Sequence, residues 1–134
     1  MMNIGQAAQA SGVSAKMIRY YERISLIPEA HRSANGYRVY ADADVHTLRF
    51  IRRARDLGFS MSQIAQLVQL WHNQHRASAE VKQIALQHVG ELDHKIEQLH
   101  TMRETLNHLA QHCQGNARPD CPILEDLARG GVKA

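Results

Sequence analysis

The feature that most constrains this chain is a long stretch, from about Ser78 to Cys113, that contains no proline and a single glycine, Gly90. Apolar side chains recur along it in steps of three and four residues, close to a heptad repeat with one slip: Ala85, Val89, Leu92, Ile96, Leu99, Met102, Leu106, Leu109 and Cys113. This spacing predicts one long helix with a continuous apolar seam. A chain of 134 residues has little else to cover that seam. We therefore expect the helix to pair with a second copy as a coiled coil; packing on the chain's own N-terminal part is the alternative.

Composition and charge narrow the class of protein. With 44% apolar and 22% charged residues, the chain has the composition of a globular protein. No uncharged apolar stretch is long enough to span a membrane, and no signal peptide is evident, so we expect a cytoplasmic protein. Residues 1–58 carry a net charge of +4 and residues 59–134 a net charge of −1. This asymmetry favours an anionic partner for the N-terminal part, with nucleic acid the first candidate, although a solvated basic face would look similar.

Two short helices near the N-terminus form a helix-turn-helix pattern. Gly5–Ser11 and Ala15–Arg23 are the predicted helices, with Gly12 between them and Ser14 as the N-cap of the second. The second helix carries Lys16, Arg19 and Tyr20. Arginine can read guanine in the major groove, and lysine and tyrosine can hold phosphate. Because any two short helices joined by glycine resemble this motif, the pattern alone does not establish DNA binding.

A basic hairpin is predicted to follow. Asn35-Gly36 is a strong signal for a tight turn, because both residues tolerate positive φ. The hairpin carries Arg32, Tyr37 and Arg38, and such a hairpin after a helix-turn-helix is typical of a wing on the sugar-phosphate backbone. Tyr37 and Tyr40 are alternatively only packing residues of the hairpin.

Two further helices are predicted after the hairpin. Asp42 is expected to cap the first, which ends at Gly58, and a capping box at Ser60–Gln63 opens the second. The first of these helices is rich in arginine, which more often indicates a solvated face than a binding surface.

Two cysteines near the C-terminus form a candidate metal site. Cys113 ends the long helix, and Cys121 precedes Pro122, which suits the first turn of a short helix. Thiolates select soft ions such as Cu(I) or Zn²⁺. Zinc usually takes four ligands, and the nearby extras are His112 and Asp120. Cu(I), Ag(I) and Au(I) accept two thiolates, and free N–H groups at the helix start could stabilise the net negative charge. The alternative is that the cysteines are only small buried apolar residues.

Several segments together resemble the MerR family of bacterial transcription regulators. These are residues 17–22 (MIRYYE), 26–28 (LIP), Arg32, 35–40 (NGYRVY) and 51–60 (IRRARDLGFS). The resemblance implies a homodimer with winged helix-turn-helix heads and an antiparallel coiled coil. It places Lys16, Arg19 and Tyr20 at the major groove, Arg32, Tyr37 and Arg38 on the wing, and Arg55 at a phosphate. One departure is Ser25, where many members have glycine; a left-handed φ there would cost roughly 1 kcal/mol.

The segment around the cysteines resembles the metal loop of CueR-type copper-efflux regulators and of their gold-responsive relatives within the family. Divalent-metal sensors of the family have a third cysteine, from the other subunit, at the start of the long helix. This chain has Ser78 there, within a segment that runs to Lys82, and Ser78 is also the expected N-cap of the long helix. The resemblance therefore implies a monovalent ion, most simply one Cu(I) per chain, held by Cys113 and Cys121. Ser78, Lys82 and His112 are the expected neighbours of the site.

The combined expectation is a mainly α-helical, metal-responsive transcription activator and not an enzyme. Residues 1–72 would form the winged helix-turn-helix domain, 73–113 the linker and dimerisation helix, and 114–134 the metal loop, short helix and tail. By resemblance, the dimer would distort promoter DNA so that RNA polymerase can use it, and would control copper detoxification genes. The alternatives are a gold-selective or divalent-metal regulator of the same family and, from another class, a copper chaperone or a thiol enzyme.

Overall fold

The computed structural model describes residues 1–73, 75, 77–116 and 119–130, and within these ranges the chain is mainly helical. Its elements in chain order are α1 Ile4–Ser11, α2 Ala15–Arg23, β1 His31–Arg32, β2 Arg38–Val39, α3 Asp42–Asp56, α4 Met61–His72, α5 Ser78–His112 and α6 Pro122–Arg129. The predicted mainly α fold with one hairpin and one long helix is confirmed. The predicted tail beyond Gly130 lies outside the described residues.

Most helix ends are set by the residues that the sequence indicates. The Ser14 side chain accepts a hydrogen bond from the Met17 N–H and opens α2. Ser60 and Gln63 exchange the two hydrogen bonds of a capping box at the start of α4. Gly58, with φ +84°, follows the end of α3. Local chemistry alone therefore places these boundaries, since each satisfies a backbone group that the helix leaves unpaired.

Two of the predicted caps are wrong by one residue. Asp42 is the first residue of α3 and not its cap; the N-cap is Ala41, whose N–H donates to Asp44 Oδ2 at 2.8 Å. Ser78 is likewise the first residue of α5 and therefore not its N-cap, which is the residue that precedes the helix. At the start of α3, the Asp44 carboxylate, in the first turn of the helix, therefore accepts from the backbone N–H of the N-cap residue.

The hairpin forms, but with a different turn from the one predicted. Strands β1 and β2 are antiparallel, with Arg32 opposite Arg38. The Gly36 N–H donates to the Ser33 carbonyl at 2.9 Å. Gly36 has φ +82°, whereas Asn35 is not among the residues with positive φ. A wider loop with one left-handed glycine therefore replaces the expected two-residue turn, which needs positive φ at both positions.

The core lies among the four helices of the N-terminal part. Helix α1 packs on α2 and α3, and α3 packs on α4. The largest fully buried side chains of this core are Ile18 and Tyr21 of α2, Tyr40 after β2, Leu48 and Ile51 of α3, and Ile64 of α4. This core holds α2 and the hairpin as parts of one folded head.

The chain forms two compact units, Met1–Ala85 and Leu86–Ala134. In the second unit the apolar seam of α5 is largely exposed: Ile96, Leu99, Met102 and Leu106 each keep more than half of their surface accessible. Helix α6 has no buried residue. Among the described residues, we find no helix with the length and apolar character needed to cross a bilayer.

Candidate nucleic-acid interface and metal centre

Helix α2 has one buried face and one basic face. Ile18 and Tyr21 are turned into the core, with 0% and 1% of their surface exposed. Lys16, Arg19 and Tyr20 lie on the exposed side. The helical period separates these two sets, because residues three and four apart share a face. All three predicted recognition residues are therefore accessible to a ligand.

A cationic cleft of about 600 Å³ lies beside this face. It brings together three of the predicted DNA-binding residues with a fourth cation and two acids: Lys16, Arg19, Arg38, Arg23, Glu22 and Glu29. The sequence analysis missed Arg23, although its spacing of four residues from Arg19 is the signal that would have found it. The Arg23 guanidinium lies 5.7 Å from the centre of the Tyr20 ring, within the range of a cation–π contact. A cleft with more cations than anions suits a phosphate backbone.

The two tyrosines of the hairpin differ in exposure. Tyr37 lies at the loop with 71% of its surface exposed, whereas Tyr40 is 1% exposed. The packing interpretation is therefore right for Tyr40 and wrong for Tyr37. Arg32, also exposed, donates from Nη1 to the Gly36 carbonyl at 3.0 Å. This bond orients a cation at the tip of the hairpin, next to the exposed tyrosine.

A buried carboxylate ties the hairpin to α2. Glu22, whose side chain is 4% exposed, accepts a hydrogen bond from the Tyr40 hydroxyl. The Arg38 Nε atom lies 3.4 Å from Glu22 Oε2, an ion pair without directed hydrogen-bond geometry. Burial, and then the hydrogen bond to Glu22, raise the pKa of Tyr40 well above its usual range. The hydroxyl therefore stays a donor. The sequence analysis missed Glu22; its place four residues after the buried Ile18 is the available signal.

Two arginines of α3 make bonds within the head. Arg55 donates from Nη1 to the Tyr21 hydroxyl at 2.8 Å while the residue as a whole stays exposed. Arg49 donates from Nε and Nη2 to the Ala10 carbonyl, near the end of α1, at 3.1 and 2.9 Å. These bonds give both side chains a structural role. Arg55 is also exposed as a residue, as the predicted phosphate contact requires.

The two cysteines lie on either side of the C-terminal loop. Cys113 directly follows α5, and Cys121 is the N-cap residue of α6; both are partly exposed. Hydrogen bonds from the backbone N–H groups of Leu124 and Ile123, and a smaller one from the Cys113 thiol, lower the pKa of Cys121. The Cys113 thiol is therefore near enough to influence the pKa of Cys121, which lies at a helix start that favours a thiolate.

The other predicted metal-site residues have distinct positions. His112 is the last residue of α5 and exposed, and its Nδ1 atom lies 2.8 Å from the His108 carbonyl. Ser78 and Lys82 are exposed residues in the first turns of α5. In the parts of the chain that the structure describes, no three His, Cys, Asp or Glu side chains cluster closely enough to hold an ion. In the described residues, the two cysteines therefore do not form part of a cluster of three or more possible ligands.

Comparison with known proteins decides the family. Residues 2–71 match the MerR HTH family regulatory proteins, and residues 45–109 match the family described as MerR, DNA binding. The chain belongs to the MerR family. It is a DNA-binding transcription regulator and not an enzyme, which confirms the expected class and excludes the thiol-enzyme alternative. MerR regulators bind promoter DNA as dimers and act together with RNA polymerase.

Relatives of this MerR protein include metal-dependent regulators. The heavy metal-dependent transcription regulator 2 of Rhizobium meliloti is 58% identical to it, over 98% of this chain and 90% of its own length. The HTH-type transcriptional regulator CueR of Escherichia coli O157:H7 is 40% identical, over 95% of this chain and 94% of its own. The crystal structure of the transcription regulator PbrR691 from Ralstonia metallidurans, in complex with lead(II), superposes with a TM-score of 0.83 at 28% identity, covering 95% and 99% of the two chains.

Ser25, where many family members have glycine, has an unusual backbone conformation. Ser25 follows α2, lines the cationic cleft and has φ +60°, the one positive value outside glycine in the described ranges. The Leu26 N–H donates back to the Tyr21 carbonyl at 2.9 Å, which closes the end of the helix. The left-handed geometry expected at this position is therefore confirmed, and this MerR protein adopts it with a side chain in place.

Proposed function

We propose that this MerR-family regulator is a metal-responsive transcription activator that senses a monovalent coinage metal ion, in the first place Cu(I). Each chain would bind one ion through Cys113 and Cys121. The observation that carries the proposal is the position of two partly exposed cysteines on either side of one short loop, where Cys113 helps to lower the pKa of Cys121, with no cluster of three or more possible metal ligands in the described part of the chain. The names of its relatives, among them a heavy metal-dependent regulator and CueR, support a metal signal.

The number and softness of the donors favour Cu(I) over Zn²⁺. Zn²⁺ sites in proteins are almost always four-coordinate, whereas Cu(I) prefers soft thiolates and is satisfied by two. Two thiolates and one monovalent ion leave a net negative charge. The N–H groups of Ile123 and Leu124 already point at Cys121 and would stabilise that charge. Ag(I) and Au(I) have the same preference, so a gold-selective regulator is a variant of this proposal.

The DNA-binding head supplies the contacts with the promoter. Lys16, Arg19 and Tyr20 would lie at the major groove, with Arg32, Tyr37 and Arg38 on the flanking backbone and Arg55 at a phosphate. Their support is the exposed basic face of α2 and the cationic cleft beside it. Because Arg38 is also paired with Glu22, its guanidinium would approach DNA from a fixed direction.

The long helix would join two copies in an antiparallel coiled coil. Its seam is exposed along much of α5 in the single chain, and a contiguous exposed apolar stripe generally marks an interaction surface. We retain the division into a DNA-binding domain at 1–72, a linker and dimerisation helix at 73–113, and a metal loop, short helix and tail at 114–134. The regulator would act in the cytoplasm.

Metal binding would be transmitted through α6. Leu124 and Leu127 are 65% and 66% exposed, so this helix has an apolar side available for docking on the dimer body. An ion that joins the two cysteines would order the loop and favour the docked state, which changes the distortion of the bound DNA. A complete switch between the two states needs about 10⁴-fold tighter binding of the ion to the activating one.

The test is an anaerobic titration of the reduced, full-length protein with Cu(I) against a competing chelator, with Zn²⁺ in a parallel titration. We expect tight binding of one Cu(I) per chain, loss of that binding in Cys113→Ser, and Zn²⁺ binding that is much weaker and unaffected by Cys113→Ser. Tight Zn²⁺ binding that is lost in Cys113→Ser, together with weak Cu(I) binding, would overturn the monovalent proposal and favour a divalent sensor that uses His112 beside the cysteines. If neither ion binds, the cysteines are structural residues and the signal is of another kind.

A further inference from the structure

Two histidines at the end of α5 form a pair that the thiolate site does not use. His108 and His112 are both exposed, and their ring centres lie 4.2 Å apart with the ring planes inclined by 46°. Their spacing of four residues places them on the same face of the helix. The sequence analysis missed this pair, although the spacing of four residues is the signal that would have found it.

The orientation of the second ring suits a metal ligand. A carbonyl oxygen can only accept, so the His112 Nδ1 atom, 2.8 Å from the His108 carbonyl, carries the hydrogen and donates it. In the neutral ring this leaves the lone pair on Nε2, on the opposite side of the ring from the helix backbone. Histidines that bind metals almost always donate their other ring nitrogen to a carbonyl or carboxylate in this way. The ring is thus already held in the tautomer that a metal requires.

The spacing of the two rings also suits a shared ion. Zn²⁺ binds imidazole nitrogen at about 2.0–2.1 Å, so in a tetrahedral site two ligand nitrogens are about 3.4 Å apart. Ring centres separated by 4.2 Å are close enough for rotation of the two side chains to direct one nitrogen of each ring toward a shared ion. Because both rings are exposed, water molecules can complete the coordination of the ion.

We propose that His108 and His112 form a second metal site, selective for borderline divalent ions such as Zn²⁺, Ni²⁺ or Cu²⁺. Imidazole suits these ions, whereas the thiolates of Cys113 and Cys121 suit soft monovalent ones. In the described residues the histidines and the cysteines do not form one cluster of metal ligands. The site therefore binds its own ion, and that ion cross-links the last turn of α5, which ends next to Cys113.

The experiment uses Zn²⁺ as the probe and full-length protein in which Cys113→Ser and Cys121→Ser remove both thiols. Zn²⁺ is titrated against a chromophoric chelator. We expect one Zn²⁺ per chain, and at least about tenfold weaker binding after His108→Gln or His112→Gln, since loss of a ligand costs no less than loss of a supporting residue. Amide hydrogen exchange in residues 108–113 should slow on addition of Zn²⁺ only when both histidines are present.

The matched control is His100→Gln, which changes another exposed histidine of the same helix and should leave Zn²⁺ binding unchanged. The proposal is overturned if the cysteine-free protein binds no Zn²⁺, if His108→Gln binds as tightly as its parent, or if His100→Gln weakens binding equally. Far-UV circular dichroism verifies that each variant keeps its helix content. Because both thiols are absent throughout, these outcomes are independent of the Cu(I) titration.

Discussion

The DNA-binding head and the metal loop achieve their geometry in opposite ways. In the head, the basic residues lie on elements held by a core, and Glu22 joins α2 to the hairpin through Tyr40 and Arg38. In the metal loop, the two cysteines are partly exposed and α6 has no buried residue. The recognition surface is therefore organised before DNA arrives. The sensor has little packing of its own, and elements of low local stability are the ones that a ligand can reorder.

The largest expected effect comes from a cysteine substitution in the metal loop, which should impair metal binding and leave DNA binding intact. Cys121→Ser should weaken Cu(I) binding by at least roughly two to three orders of magnitude, because it removes one of two thiolates and a single ligand of a four-ligand zinc site already accounts for about one quarter of that site's binding free energy. Metal-dependent transcription should be lost, whereas promoter affinity of the metal-free protein should stay unchanged because the head is untouched. Competition titration and in vitro transcription measure the two properties.

The matched control for that variant is Asp120→Asn, at the adjacent exposed position. It should keep the Cu(I) affinity, since two thiolates suffice. A large loss in Asp120→Asn would show that the ion has an oxygen ligand and would contradict the two-thiolate site.

The next largest effect comes from a substitution in the DNA-binding head, which should impair DNA binding and leave metal binding intact. Arg19→Ala should weaken promoter binding by about 1–3 kcal/mol, which is roughly 5- to 150-fold. The Cu(I) affinity should be unaffected. Fluorescence anisotropy with labelled promoter DNA measures the first, and the chelator competition the second. Arg103→Ala, an exposed arginine of α5, is the control. Equal losses in both variants would mean that overall charge, and not the face of α2, determines binding.

A smaller effect tests how the hairpin is tied to α2. Tyr40→Phe removes the hydrogen bond to the buried Glu22 and should lower the free energy of unfolding by about 1–3 kcal/mol. Tyr37→Phe, at an exposed position, should leave stability unchanged in urea unfolding. Similar losses in the two variants would contradict the proposed role of Glu22.

The same contact makes stability depend on pH in the alkaline range. Because the pKa of Tyr40 is raised in the folded state, the folded protein keeps a proton that the unfolded chain loses near pH 10. Its stabilising contribution is complete below about pH 10 and is lost as the pH rises from there toward the folded-state pKa. The slope of the unfolding free energy above pH 10 should be shallower in Tyr40→Phe than in the parent, whereas Tyr37→Phe should keep the parental slope.

The smallest effect concerns the turn at the edge of the cleft. Ser25→Gly relieves a left-handed φ of +60° and should stabilise the protein by roughly 1 kcal/mol, which raises Tm by a few degrees. Promoter affinity should not change. Ser62→Gly, within α4, should instead destabilise by a fraction of 1 kcal/mol. Destabilisation by Ser25→Gly would mean that the serine side chain contributes more than its backbone costs.

Much of the fold follows from local rules. The period of the apolar residues predicts α5, Ser14 and Ser60 open their helices, and Pro122 and Gly130 mark the ends of α6. These rules are reliable because each concerns hydrogen bonds or steric limits within a few residues. The cap predicted at Asp42 is wrong because a competing carboxylate, Asp44, lies two residues further on and accepts from the Ala41 N–H. One-residue choices of this kind depend on side-chain geometry.

The amino-acid sequence by itself determined most helix boundaries to within a residue, the charge of the head and the softness of the two possible metal ligands. All three depend on residue type and short spacing. The tertiary structure decided which charged side chains are buried and which possible metal ligands lie near each other. Glu22 reaches Tyr40 across 18 positions, and the Cys113 thiol influences the pKa of Cys121 across seven intervening residues. The reason is physical: local hydrogen bonds act between residues close in sequence, whereas burial and ligand pairing depend on which distant segments the packed core brings together.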